Sequence, residues 1–218
     1  MTLSNETGTH ISLPAQFSEF RTRARIHEIE PERLTLRETA VVELPAGEEH
    51  EIGAGEIDAA LDAADVRDGD AVIIRTGWGD RVAEFRGGDR YLWRSPFLGV
   101  EGARRLGERL NQADSDLVLL DTAVVGLPAR HVIPEWGRLW PRPRPWPSEA
   151  AWAYLASYTP DRVMDDWAAD HALAAAGVMV VSRVVGCGAL PAGRVRIIVA
   201  PLCQVRGVGA TCRVVAVA

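Results

Sequence analysis

The chain has no lysine: all 24 of its basic side chains are arginine. That excludes Schiff-base catalysis through a lysine amine. Arginine has GC-rich codons and lysine has not, so the bias matches a GC-rich bacterial genome and carries no functional meaning. No apolar run approaches the ~18 residues that would suggest a membrane span. Met1 to Glu6 have neither the basic start nor the apolar stretch of a secretory signal. Cysteine is scarce. Cys187, Cys203 and Cys212 are odd in number and lack metal-ligand spacing, which points to reduced thiols in a cytoplasmic protein. Positive charge is in deficit too, and a net charge of −6 argues against nucleic acid, whose phosphates demand a basic surface.

What remains is an ordinary globular composition, 47% hydrophobic and 25% charged over 218 residues. That length suits one domain, 1–218, with a sizeable core. Leu34 to Leu36 and Ala40 to Leu44 read as strands near a sheet edge. After a turn at Gly53 to Gly55, Ile57, Ala60, Leu61 and Ala64 share one face of a helix over Glu56 to Ala64. A turn at Asp68 to Asp70 feeds a buried strand over Ala71 to Ile74. A helix over Gly99 to Ala113 leads into a strand at Leu117 to Leu120. Ser148 caps a helix over Glu149 to Ser157, and Asp161 one over Arg162 to Ala176 that Gly177 stops. Strands Val178 to Val181, Val195 to Ala200 and Cys212 to Val217 complete an α/β pattern.

The segment from Pro134 to Pro147 carries five prolines and three tryptophans. The prolines forbid regular structure, and each tryptophan can bury ~150–250 Å². It reads as a subunit contact or packed loop, or else as an aromatic lid in which Trp136 and Trp140 touch substrate.

Near the start stands Glu6-Thr7-Gly8-Thr9-His10-Ile11-Ser12-Leu13-Pro14-Ala15-Gln16-Phe17. It resembles the signature of the metal-dependent cyclase / kynurenine formamidase-like hydrolase family, His-Thr-Gly-Thr-His-Ile-Asp-x-Pro-x-His, whose His and Asp residues gather one or two divalent cations. Gly8, Thr9, His10 and Pro14 keep the frame, while Glu6, Ser12 and Gln16 replace the first His, the Asp and the last His. The resemblance continues at Ile73 to Trp78, similar to a strand ending in Arg-Thr-Gly-Trp. Leu119 to Thr122 is similar to the start of an Asp-x-x-Ser-x-Asp turn, with Val124 and Gly126 at its Ser and second Asp. Asp170 to Leu173 resembles the helix bearing a late metal-binding His, and Ser182 stands where its partner Glu would follow. Pro201-Leu202 and Gly207 to Ala216 resemble the last two strands.

The resemblance implies a swivelling β/β/α domain and a dismantled metal site. A catalytic cation wants imidazole or anionic donors. Ser12 offers a neutral hydroxyl, and Gln16 only an amide. Of six ligand or base positions, His10 and His171 survive. His10, in a loop after Gly8-Thr9, is expected to face the ancestral pocket. So is His171, on a helix face shared with Met164 and Trp167. Glu6, His10 and His171 are then the expected catalytic residues, working without metal or other cofactor. Ser12, Gln16, Arg75, Trp78, Trp136, Trp140 and Ser182 are the expected substrate contacts. Arg75 and Trp78 are placed there because ligands collect at strand ends in α/β sheets. Cys187 reads as a small buried hydrophobe rather than a nucleophile.

These readings predict a cytoplasmic enzyme of bacterial specialised metabolism that forms, dehydrates or opens a ring on a small cyclic or aromatic molecule. Its expected partners are that small molecule and copies of itself, as a homodimer or homotetramer. Two other readings stand beside it. One is a hydrolase of amides or lactones holding a single cation on Glu6, His10 and His171. The other is a catalytically silent subunit that pairs with an active relative.

Overall fold

The computed structural model describes residues 8–85, 91–92, 94–126 and 167–217. Among them nine strands run in chain order through β1 (His10–Ser12), β2 (Arg37–Glu43), β3 (Glu51–Ile52), β4 (Ala71–Arg75) and β5 (Phe97–Leu98), then β6 (Leu117–Leu120), β7 (Met179–Ser182), β8 (Gly193–Pro201) and β9 (Gly209–Val217). Seven of them close into a mixed barrel ordered β1-β7-β6-β4-β2-β8-β9, while β3 and β5 form a separate parallel pair. Among the described residues three helices pack with it: α1 (Ala54–Asp62), α2 (Val100–Gln112) and α3 (Ala168–Ala175). The fold is therefore mixed α/β with a barrel-like sheet.

Side chains alternate across a strand, so a strand covered on both faces must be apolar at every position. That is why the middle of the barrel reads as unbroken apolar runs. Val41, Ile73, Leu117, Leu119, Met179 and Val181 point into the barrel and pack with Ile11, Ile197 and Val199. Their neighbours Ala40, Val42, Val72, Ile74, Val118, Leu120 and Val180 point outward to Ile57, Leu61, Leu106, Leu110 and Leu173 of the helices. Helices α2 and α3 lie so close that a Cβ on Gly107 would come within 2.7 Å of the Ala176 methyl. Gly177, at φ 85°, ends the turn after α3 in the left-handed conformation, as the sequence predicts.

Several expectations shift. Strand β2 lies between β4 and β8 rather than at an edge, because β8 and β9 return to close the barrel. Leu34 to Leu36 form a turn, with Leu36 at φ 54°, and the strand begins at Arg37. His10 stands not in a loop but at the head of β1. Gly53 directly precedes α1, and its N–H donates to the Glu56 carboxylate at 2.9 Å. The helix expected over Glu149 to Ser157, and the part of the last helix before Trp167, fall outside the described residues. Among the described residues no helix is long and apolar enough to cross a membrane.

Candidate active site

Three parallel strands, β4, β6 and β7, end on one side of the barrel, and the chemistry-bearing residues cluster there in two corners. At the first, β1 runs antiparallel to β7 with His10 directly opposite Ser182. Ile11 and Val181 point into the barrel, so His10 and Ser182 share its outer face. Opposed residues of an antiparallel pair bring their side chains within contact: Ser182 Oγ lies 3.2 Å from His10 Nε2. The other ring nitrogen, Nδ1, lies 2.9 Å from the Gly8 carbonyl oxygen. Both side chains are buried, His10 at 6% exposure and Ser182 at 4%.

The turn after Ser182 is fixed from several sides. Arg183 takes the left-handed conformation at φ 59°. Its N–H donates to Thr122 O at 3.1 Å, its Nε–H to Ala123 O at 2.9 Å, and its carbonyl accepts the Thr9 hydroxyl at 2.7 Å. Thr9 O accepts the Cys212 N–H at 3.0 Å, which ties the signature loop to β9. A non-glycine residue at positive φ costs on the order of 1–3 kcal/mol and persists only where its surroundings over-determine it.

His171 belongs to a separate group. Its Nε2 lies 3.0 Å from Glu19 Oε1. Its ring meets Phe17 edge-on, with centroids 5.1 Å apart, and Phe20 at 5.3 Å. Trp167 extends this aromatic patch beside Phe17 and is 39% exposed. Ser12 sits on β1 opposite Val180, and Gln16 ends a 3-10 turn (Pro14–Gln16). Both are half-buried, and neither side chain has a hydrogen-bond partner among the described residues. Glu6, Trp136 and Trp140 lie outside the described residues. A cleft of about 280 Å³ lined by Leu13, Pro14, Ile29 and Met179 opens at the start of β7, the far end from Ser182.

The second corner, at the ends of β4 and β6, holds Arg75, Trp78 and Asp121. Arg75 pairs with Glu43 opposite it on β2, and its Nη1 donates to Cys187 O and Leu190 O, each at 2.9 Å. Trp78 has no exposed surface. It stacks on Tyr91, touches Phe85, lies under the Arg81 guanidinium, and donates from Nε1 to Tyr91 O at 3.1 Å. The Asp121 carboxylate accepts the Thr76 N–H at 2.9 Å, the Thr76 hydroxyl, and the Gly77 N–H at 2.8 Å. Burial nevertheless holds its carboxyl above the usual range, against those hydrogen bonds. The Cys187 thiol is pushed up to about 12, first by burial and then by the Asp121 charge, so it is no thiolate at neutral pH.

The metal centre implied by the resemblance can be tested on the donors present. Among the described residues no three His, Cys, Asp or Glu side chains are grouped to hold an ion. The two histidines that survive face a neutral hydroxyl and Glu19 respectively. At Gly126 a Cβ would stand 3.0 Å from the Ala169 methyl and 3.3 Å from Asp170 Oδ2. Glycine at that position supplies no donor side chain. The described residues do not fit a two-metal centre.

Glu19, Phe17 and Phe20 escaped the sequence reading, since only the fold brings them to His171. The sequence likewise gives no sign that the Gly8 carbonyl orients His10.

Solved structures similar to this one include isatin hydrolase A from Labrenzia aggregata, 19% identical at a TM-score of 0.69, covering 99% of this chain and 74% of that one. Isatin hydrolase A from Ralstonia solanacearum is 18% identical at 0.67, covering 99% and 73%. A "predicted metal-dependent hydrolase" from Bacillus stearothermophilus is 18% identical at 0.60, covering 99% and 78%. At such identities the likeness establishes the fold alone. No curated protein matches the sequence. The family described as "Putative cyclase" matches residues 1–125, more than half of the 218. With the signature frame kept at Gly8, Thr9, His10 and Pro14 and its barrel in place, the chain belongs to that cyclase family.

Proposed function

We propose that the protein is a cytoplasmic enzyme that uses metal-independent acid–base chemistry to open, close or dehydrate a ring on a small cyclic or aromatic metabolite. The observation that carries this reading is the hydrogen-bonding of His10. Gly8 O can only accept, so the neutral ring carries its hydrogen on Nδ1 and presents a lone pair at Nε2. A buried imidazole with one fixed tautomer is a ready proton acceptor. His171, held by Glu19 among aromatic rings, is the second imidazole of the assignment. Glu6, four residues before His10, completes it.

The likeness to isatin hydrolases supports one substrate class within this reading. Isatin is a five-membered cyclic amide fused to an aromatic ring, and such lactams or the matching lactones are the preferred class. The aromatic surface of Phe17, Phe20 and Trp167 suits a flat ring. Ser12 and Gln16 supply polar contacts that can change without ending the chemistry. The family's swivelling β/β/α arrangement and assembly as a homodimer or homotetramer belong to the same reading.

Ring opening of isatin and of aromatic lactones, followed by absorbance on dialysed, chelator-treated protein, tests this. Turnover is expected to survive chelation, with well under one equivalent of Zn, Mn or Mg by elemental analysis. His10→Ala or His171→Ala should lower kcat by roughly 10²–10⁴, the usual worth of a positioned acid or base. Stoichiometric metal with activity lost on chelation overturns the metal-free chemistry. Two folded His variants within a few-fold of wild type overturn the assignment of residues.

A further inference from the structure

We infer that Ser182 is a covalent nucleophile, activated by His10, with the Gly8 carbonyl as the third member that orients the ring. This rests on the acid–base reading of His10 and adds a bond-forming role for Ser182. In the neutral ring the Nδ1 hydrogen goes to Gly8 O, which leaves Nε2 as acceptor and the Ser182 hydroxyl as donor. That is the direction in which a base takes a proton from a nucleophile, at 3.2 Å, close to the ~2.6–3.2 Å expected of such a pair.

The other buried serines show how unusual this is. Ser95 donates to Pro96 O and Ser115 to Asp70 O, so both hydroxyl hydrogens are spent on carbonyls. The other described histidines, His27, His50 and His171, meet the Arg206 N–H, Glu56 and Glu19, and no hydroxyl. Among the described residues a buried hydroxyl meets an imidazole only here. Cys187, a buried thiol five residues on, keeps its proton because it is buried. Position on the chain helps as well. Ser182 ends its strand, and Arg183 at φ 59° turns the backbone sharply away, held by Thr9 and Thr122.

The chemistry follows for a cyclic amide or ester. Ser182 Oγ bonds to the ring carbonyl carbon while its proton passes to His10 Nε2. The ring C–N or C–O bond breaks, and the departing nitrogen or oxygen takes that proton. The product of this half is an acyl-serine ester carrying the opened ring. Water then adds to the ester carbonyl, giving one proton to Nε2. The C–Oγ bond breaks, Oγ recovers the proton, and the opened acid leaves. One water is consumed and nothing is oxidised or reduced.

Phenylmethanesulfonyl fluoride is the probe, since it sulfonylates an activated serine with loss of fluoride. Intact-mass and peptide mass spectrometry on the wild-type chain should show one sulfonyl group, on Ser182. His10→Ala should slow labelling by roughly 10²–10⁴. Ser182→Cys, a near-isosteric variant, should instead gain an iodoacetamide at residue 182 that the wild type lacks, faster than at buried Cys187, with exposed Cys203 labelled in both proteins as the reference. No sulfonylation, or sulfonylation elsewhere, overturns the nucleophile. Isatin turnover by Ser182→Ala within a few-fold of wild type overturns it too, and loss of turnover in His10→Ala then leaves the acid–base reading standing. If both variants turn over normally, both fall.

Discussion

Two corners lie at the same end of one barrel, and both fall in segments that resemble the family's motifs. At the β4–β6 corner, Arg75 spends its guanidinium on Glu43, Cys187 O and Leu190 O, and Asp121 accepts from Thr76 and Gly77. Trp78 is sealed in an aromatic cluster. At the β1–β7 corner, His10 and Ser182 face one another through a base and a hydroxyl. The first arrangement saturates charge with fixed partners, which makes a brace. The second leaves a proton shared between two groups of useful reactivity, which makes a candidate for chemistry. A matched motif thus says that a residue sits where its relatives' does. Its hydrogen-bond partners say whether it braces or reacts.

Removing the acceptor from the brace gives the largest expected stability effect. Asp121→Ala leaves Thr76 and Gly77 N–H groups and a hydroxyl without their carboxylate. Each buried orphan costs roughly 1–3 kcal/mol, so the total is roughly 3–5 kcal/mol once local water and rearrangement are allowed. His10→Ala, which frees two groups rather than three, one carbonyl and one hydroxyl, should cost less, about 2–3 kcal/mol. Urea denaturation of both variants checks the contrast. A His10→Ala loss equal to that of Asp121→Ala would make His10 a brace as well.

The legibility of this protein divides along the same line. Strands β4, β6 and β7 could be read because burial on both faces writes an unbroken apolar run into the sequence. Helix α2 could be read from the spacing of Ala103, Leu106 and Leu110. Strand β1 could not, being three residues long. The position of β2 could not either, because only the return of β8 and β9 decides whether a barrel closes. His10 and His171 were visible through the motif, but their partners were not. Ser182 lies 172 residues from His10 and Glu19 lies 152 from His171. Strand register and helix docking set both contacts, and neither leaves a local trace in composition or period.

Gly79 is where the two corners touch, and altering it gives an intermediate effect. A Cβ there would stand 2.3 Å from Val184 O, two residues after Ser182, and 3.1 Å from the Asp121 Cβ. Backbone must shift to admit it, at a cost of about 1–3 kcal/mol, the usual range for overpacking. Thermal unfolding of Gly79→Ala should register that loss. Because the displaced carbonyl belongs to the turn behind Ser182, isatin turnover should fall several-fold with it. Lost stability with unchanged turnover would show the corners to be mechanically independent.

The last contrast concerns thiols of the brace and of β9 at alkaline pH. Burial pushes Cys187 and Cys212 from an ordinary value of 9.0 up to about 12. In the unfolded chain both ionise near pH 9, whereas the folded chain keeps their protons until about pH 12. Between those values the folded state binds more protons, so raising the pH favours unfolding. The contribution is fully present below pH 9 and is lost as the pH climbs toward 12. Tyr91, also raised by burial, adds to the loss above its ordinary value of 10.0. Urea midpoints measured from pH 8 to 11 should therefore fall. Cys187→Ala should be less stable at pH 8, because it leaves a small cavity, yet show a shallower decline. An identical slope in the variant would mean that the Cys187 thiol meets water in the folded protein and that this part of the brace is open.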